Sequence, residues 1–159
     1  MLALALPVAG FNVPQTRQEF VKVVAAGERG TEKQTFVVER GFDQVYEVLQ
    51  ERSTACLDVT VKRTAYVGYT EHSSSDYNPT LRKAGAGKAE FALQVVHRPR
   101  AIGENAPPGG MYVMAADIRS LGKGRTELVV YLPTMGYKRV ARSLKEWAAG
   151  ENTDCPKLR

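Results

Sequence analysis

Tyr137-Lys138-Arg139-Val140-Ala141-Arg142-Ser143-Leu144-Lys145-Glu146-Trp147-Ala148-Ala149-Gly150 is the stretch on which the fold turns. Tyr137, Val140, Ala141, Leu144, Trp147 and Ala148 recur three and four residues apart, so on a helix they form one continuous apolar stripe. Lys138, Arg139, Arg142, Lys145 and Glu146 fall on the other side, and Gly150 ends the helix. So broad a stripe needs a large apolar surface to cover it, and the preceding residues supply one.

Working backwards, Arg125 to Leu132 alternates Thr126, Leu128, Val130 and Leu132 against Glu127 and Tyr131, the pattern of a half-buried strand. Gly122-Lys123-Gly124 joins it as a tight hairpin to a strand from Met111 to Arg119. Lys88 to His97 alternates Ala89, Phe91, Leu93 and Val95 against Lys88, Glu90 and Gln94. The polar stretch Tyr66–Tyr77 predicts a thin or edge strand. Before it, Leu57, Val59 and Val61 alternate with polar residues and predict another strand. Nearer the start, Thr16-Arg17-Gln18-Glu19 is a capping box opening a helix with Phe20, Val23 and Val24 on one face, closed by Gly27. Thr35 to Glu39 reads as a short strand with Phe36 and Val38 inward. Phe42, Val45, Tyr46 and Leu49 then mark an amphipathic helix reaching about Arg52, with Cys56 just beyond its end.

The expected class is α+β: an antiparallel sheet of five to six strands packed against a C-terminal helix, with one or two helices near the N-terminus. The 159 residues, 43% hydrophobic, fit one domain, expected over residues 11–159. Met1-Leu2-Ala3-Leu4-Ala5-Leu6-Pro7-Val8-Ala9-Gly10 is apolar and then stops. A ten-residue helix is roughly 15 Å long, about half the hydrocarbon thickness of a bilayer. The segment reads as the remnant of a secretory signal, with Val8 and Gly10 as the small residues of a cleavage site, or as a retained hydrophobic tail. There is no basic n-region, and Phe11 stands where a lipoprotein signal carries its Cys.

Two cysteines, Cys56 and Cys155, leave two readings, a disulfide or two free thiols. The polar tail around Cys155 is an exposed place for a free thiol, which favours the bond and an oxidising compartment. A bridge closing a loop of about a hundred residues is worth roughly 4–5 kcal/mol as an upper figure. With only His72 and His97 beside them, the cysteines make no structural zinc site, and no metal or cofactor is expected.

Ala55-Cys56-Leu57 together with Trp147-Ala148-Ala149-Gly150 and Cys155-Pro156 resembles a group of bacterial envelope (periplasmic) lipoproteins without an established activity. The resemblance spans most of residues 36–159 and implies that the two cysteines pair. It implies a location rather than a mechanism, and the missing lipobox Cys departs from the group. The element order also resembles the helix-grip fold of START-like proteins, which implies an apolar cavity between sheet and last helix.

The net charge of +5 favours anionic partners without choosing among them. His72-Ser73-Ser74-Ser75-Asp76 holds the residue types of a hydrolytic triad, but strand neighbours point to alternate faces and cannot converge. Ala84-Gly85-Ala86-Gly87-Lys88-Ala89 lacks phosphate-loop spacing and precedes a strand. No catalytic residue is expected and the chain reads as a non-enzyme. Two basic features could contact an envelope protein or an anionic envelope component. One is Arg98 and Arg100 at the head of the Pro/Gly-rich loop running to Gly110. The other is the helix face Lys138, Arg139 and Arg142, which also suits peripheral membrane contact. Phe91, Leu93, Leu128, Val130 and Trp147 are core residues that would line a cavity for an apolar ligand if the helix stood off the sheet. Tyr112 and Tyr131 are too few for a nucleic-acid face. The sequence thus points to an exported binding or accessory protein, with a carrier of an apolar small molecule as the alternative.

Overall fold

The computed structural model describes residues 13–100, 105–133 and 136–158. The signal remnant expected at residues 1–10 lies outside them. Among the described residues, three helices and six strands run in the order α1 (Arg17–Ala25), β1 (Thr31–Val38), α2 (Phe42–Leu57), β2 (Thr60–Tyr66), β3 (Thr70–Gly85), β4 (Lys88–Arg98), β5 (Met111–Gly122), β6 (Arg125–Pro133) and α3 (Lys138–Ala149). The strands form one antiparallel sheet in the spatial order β1-β6-β5-β4-β3-β2. The expected α+β class and C-terminal helix are therefore present.

Alternation along β6 separates the two faces. Leu128, Val130 and Leu132 join the main core with Phe91, Leu93, Val95, Ala116 and Ile118, beneath Val45, Leu49 and Leu57 of α2 and Val140, Leu144 and Trp147 of α3. Val129 and Tyr131 point the other way and pack with Ala115 and Tyr112 against Phe20 and Val24 of α1. Helices thus cover both faces of the β5–β6 region. Arg17 of α1 pins that second layer. Its guanidinium pairs with Asp117 at 2.6 Å and donates to the carbonyls of Phe91 and Ala116 at 3.1 and 2.8 Å. The Tyr131 hydroxyl donates to the other Asp117 oxygen at 3.1 Å.

Local chemistry explains most element ends. The Thr16 hydroxyl accepts the Glu19 amide at 3.1 Å, but the Glu19 carboxylate takes the Gln15 amide at 2.7 Å instead of Thr16's own, so the box closes one residue early. At the β5–β6 hairpin Lys123 and Gly124 both have positive φ, the twist a two-residue turn needs between right-twisted strands. Gly150 is left-handed, its amide returning to Glu146 and Trp147, and the Glu151 amide reaches the Glu146 carbonyl at 2.9 Å.

Two expectations are corrected. The second helix does not stop near Arg52 but runs to Leu57, so Cys56 is in its last turn. Ser53, Cys56 and Leu57 extend the buried face of Leu49, and the Thr54 and Ser53 hydroxyls fold back onto the Gln50 carbonyl. Leu57 consequently leaves the strand it was assigned to. The strand that follows starts at Thr60 and is the sheet edge in place of the 66–77 segment.

Cys56 and Cys155 form a disulfide with Cα atoms 5.1 Å apart, spanning 99 residues of sequence. The tail it anchors is also held by the Trp147 indole, which donates to the Asp154 carbonyl at 3.2 Å. Among the described residues, no helix is long and apolar enough to cross a membrane.

Candidate functional site

The least conventional part of the sheet is its β2–β3 end. β4 pairs with β3 only as far as Ser74, opposite Arg98, whereas β2 and β3 remain paired out to Tyr66 and Thr70. Residues 62–73 therefore form a two-stranded arm beyond the six-stranded body, and every one of them is exposed. Its turn is Val67-Gly68-Tyr69, with Gly68 at φ +87° and the Val67 amide bonded to the Tyr69 carbonyl at 3.1 Å. Tyr66, Val67 and Tyr69 are 79%, 63% and 65% exposed, the three highest values among the large hydrophobic residues exposed on the described surface. A lone exposed apolar residue is ordinary, but three within four positions make a patch.

Register assigns the polar residues of the arm to faces. Thr60, Lys62 and Thr64 share one face with Asp76, Ser74 and His72, while Val61, Arg63 and Ala65 share the opposite face with Ser75, Ser73 and Glu71. On the first face Asp76 accepts from the Thr60 hydroxyl at 2.7 Å and pairs with Arg98 at 3.0 Å. These two bonds, Thr60's foremost, hold the Asp76 carboxyl below the usual carboxylate range. His72 Nδ1 meets the Thr64 hydroxyl at 3.1 Å. On the second face Ser75 Oγ and His97 Nδ1 lie 2.9 Å apart. Contrary to the expectation from strand alternation, His72, Ser74 and Asp76 share one face, with Ser73 and Ser75 on the other. Asp76 is bonded to Thr60 and Arg98, however, and His72 meets Thr64, so acid and imidazole are engaged with other residues rather than with each other. Shallow clefts flank the arm's root. One of about 340 Å³ is lined by Lys62, Thr64, His72, Ser74 and Arg98, another of about 240 Å³ by Arg63, Glu71, Ser75 and His97.

The sequence-predicted residues do not assemble into one site. Arg98 and Arg100 stand at the root of the arm, Arg98 engaged with Asp76 and Arg100 exposed. Lys138, Arg139 and Arg142 are exposed on α3, which packs against β1 and β6 toward the opposite edge of the sheet. Lys138 pairs with Glu32 at 2.9 Å. The two basic features are therefore separate surfaces. Phe91, Leu93, Leu128, Val130 and Trp147 are 0–1% exposed and belong to the packed core, and the clefts described here are lined by other residues. Beyond Arg100 the loop returns through Pro107-Pro108-Gly109-Gly110. There the buried Gln94 amide donates to the Pro108 and Gly110 carbonyls at 2.9 and 2.7 Å, and Asn78 donates to Gly109 at 2.9 Å. Sequence reasoning missed the arm tip. Its signal was the apolar Tyr66-Val67-Gly68-Tyr69 turn inside a polar stretch.

No protein-family model matches the chain, and no curated protein does. One solved structure it is similar to is the crystal structure of the ZhuI aromatase/cyclase from Streptomyces sp. R1128, at 13% identity and a TM-score of 0.37, over 76% of this chain and 92% of that one. This finding corrects the expectation of a non-enzyme, because the matched protein is an enzyme. At that TM-score the likeness assigns no reaction to this chain.

Proposed function

We propose that this chain is an exported protein of the bacterial envelope, periplasmic or associated with the outer envelope, that works by contact with a larger partner. The contact element is the β2–β3 arm, with Arg98 and Arg100 at its root. The carrying observation is the exposure of Tyr66, Val67 and Tyr69 on a projecting ribbon, where burying them against the protein's own body is not an option. The disulfide supports an oxidising compartment, and the resemblance of the cysteine motifs to those of envelope lipoproteins favours the envelope. The exposed Arg139 and Arg142 of α3 would form a second, independent contact. The alternative, a carrier of an apolar small molecule, needs α3 to stand away from residues that here are closely packed.

A photo-crosslinking side chain placed at Tyr69, with one at Val37 on the other sheet edge as control, tests this in the intact envelope. The expected result is an adduct, protein or lipid, from position 69 alone. Equal labelling from both positions, or none from 69, would remove the arm from the reading.

A further inference from the structure

Resting on that reading, we propose that the surface the arm meets is an anionic phospholipid bilayer, which the tip enters at the headgroup level. The geometry points there in three ways. First, the apolar residues sit on a convex turn at the end of a ribbon exposed on both faces, a shape that penetrates a soft surface and offers no pocket to a ligand. Second, the tip chemistry is interfacial. Tyr66 and Tyr69 each join an apolar ring to a hydroxyl that must stay wet, the combination enriched where hydrocarbon meets headgroups, and Val67 between them supplies a purely apolar contact. Third, the cations follow at the depth such a pose requires. Arg63 lies three residues behind Tyr66 and Lys62 four, about 10 and 13 Å back along the strand at roughly 3.3 Å per residue. Their long, flexible side chains can lie along the ribbon and cover part of that distance toward lipid phosphates. Arg100 is a further exposed cation at the root. Against them the arm carries one carboxylate, Glu71, since Asp76 is already occupied by Thr60 and Arg98.

Cosedimentation of the disulfide-intact protein with vesicles of phosphatidylcholine alone, or phosphatidylcholine with 30–40% phosphatidylglycerol, is the test (about one anionic lipid in three gives a surface potential of the usual size). Binding is expected to the anionic vesicles only, and to fall steeply as salt rises. Lys62→Ala with Arg63→Ala should weaken it by about 25-fold, since each cation near such a surface is worth about fivefold. Tyr66→Ser with Val67→Ser and Tyr69→Ser should lower it by at least tenfold while leaving the melting temperature unchanged, because all three side chains are exposed. Tyrosine fluorescence in the presence of a headgroup-level quencher should drop in the wild type and not in that variant. Absence of binding to anionic vesicles at low salt, or binding indifferent to the tip substitutions, overturns the lipid assignment. A protein adduct from position 69 in the crosslinking experiment alongside such a failure would overturn the bilayer while sparing the arm. Failure of both would remove the arm altogether.

Discussion

Tyr137 places a phenol largely out of water at the start of α3, sharing a hydrogen bond with the Tyr77 hydroxyl. Burial, ahead of the Tyr77 contribution, pushes its pKa far above the ordinary value near 10. Because the folded value is the higher one, this tyrosine's contribution is complete below about pH 10 and is lost as pH climbs toward the folded value. Melting temperature should therefore fall above about pH 10, and Tyr137→Phe should flatten that fall; scanning calorimetry in steps across the alkaline range measures both slopes. Some slope will remain from Tyr131, raised in the same direction by burial and by Asp117. Identical slopes in variant and wild type would refute the assignment. At this scale the sequence was readable where a residue acts on its neighbours, as with Thr16 and Gly150. The pairings of Tyr77 with Tyr137 and of Arg17 with Asp117 join distant strands and helices, so no local pattern announces them.

Elements were legible wherever one face is buried. β4, β5, β6 and α3 follow their apolar periodicity to within a few residues, since packing enforces the same period that the pattern displays. The edge failed for the converse reason. Val59 and Val61 alternate with polar residues like a half-buried strand, and both pack against the rim of the core, but Val59 precedes β2 and the strand beyond Val61 projects from the body. The loop before β5 has a more definite requirement. Gly110 has φ +102°, and a Cβ there would collide with the Val95 carbonyl. Gly110→Ala is expected to destabilise the fold by more than about 1 kcal/mol, the usual gain from Gly→Ala being reversed where φ is positive. Urea unfolding would register it as a lowered midpoint at unchanged slope. A midpoint equal to wild type would mean that the loop re-forms without strain.

Across the whole molecule the decisive tie is the one between α2 and the tail. Replacing both cysteines with serine removes a constraint worth at most roughly 4–5 kcal/mol, so the melting temperature should drop by about 10 °C for a domain of this size. Wild-type protein taken from its own compartment and unfolded without reductant should show no titratable thiol; two reactive sulfurs would sink the export reading. The pairing of two cysteines in so short a list was readable in advance, but the separation of the basic surfaces to opposite sheet edges was not, because strand order is set by long-range pairing. The bridge also fixes how the chain carries tension. β2 through α3 all lie within the segment it encloses, while α1 and β1 lie before it. Backbone tension from a pull along the polypeptide would run through α1, β1 and α2, cross directly between the sulfurs and leave after Cys155. β2 to β6 would carry none of it along their own chain, and β6 would be loaded only sideways while β1 stays paired to it.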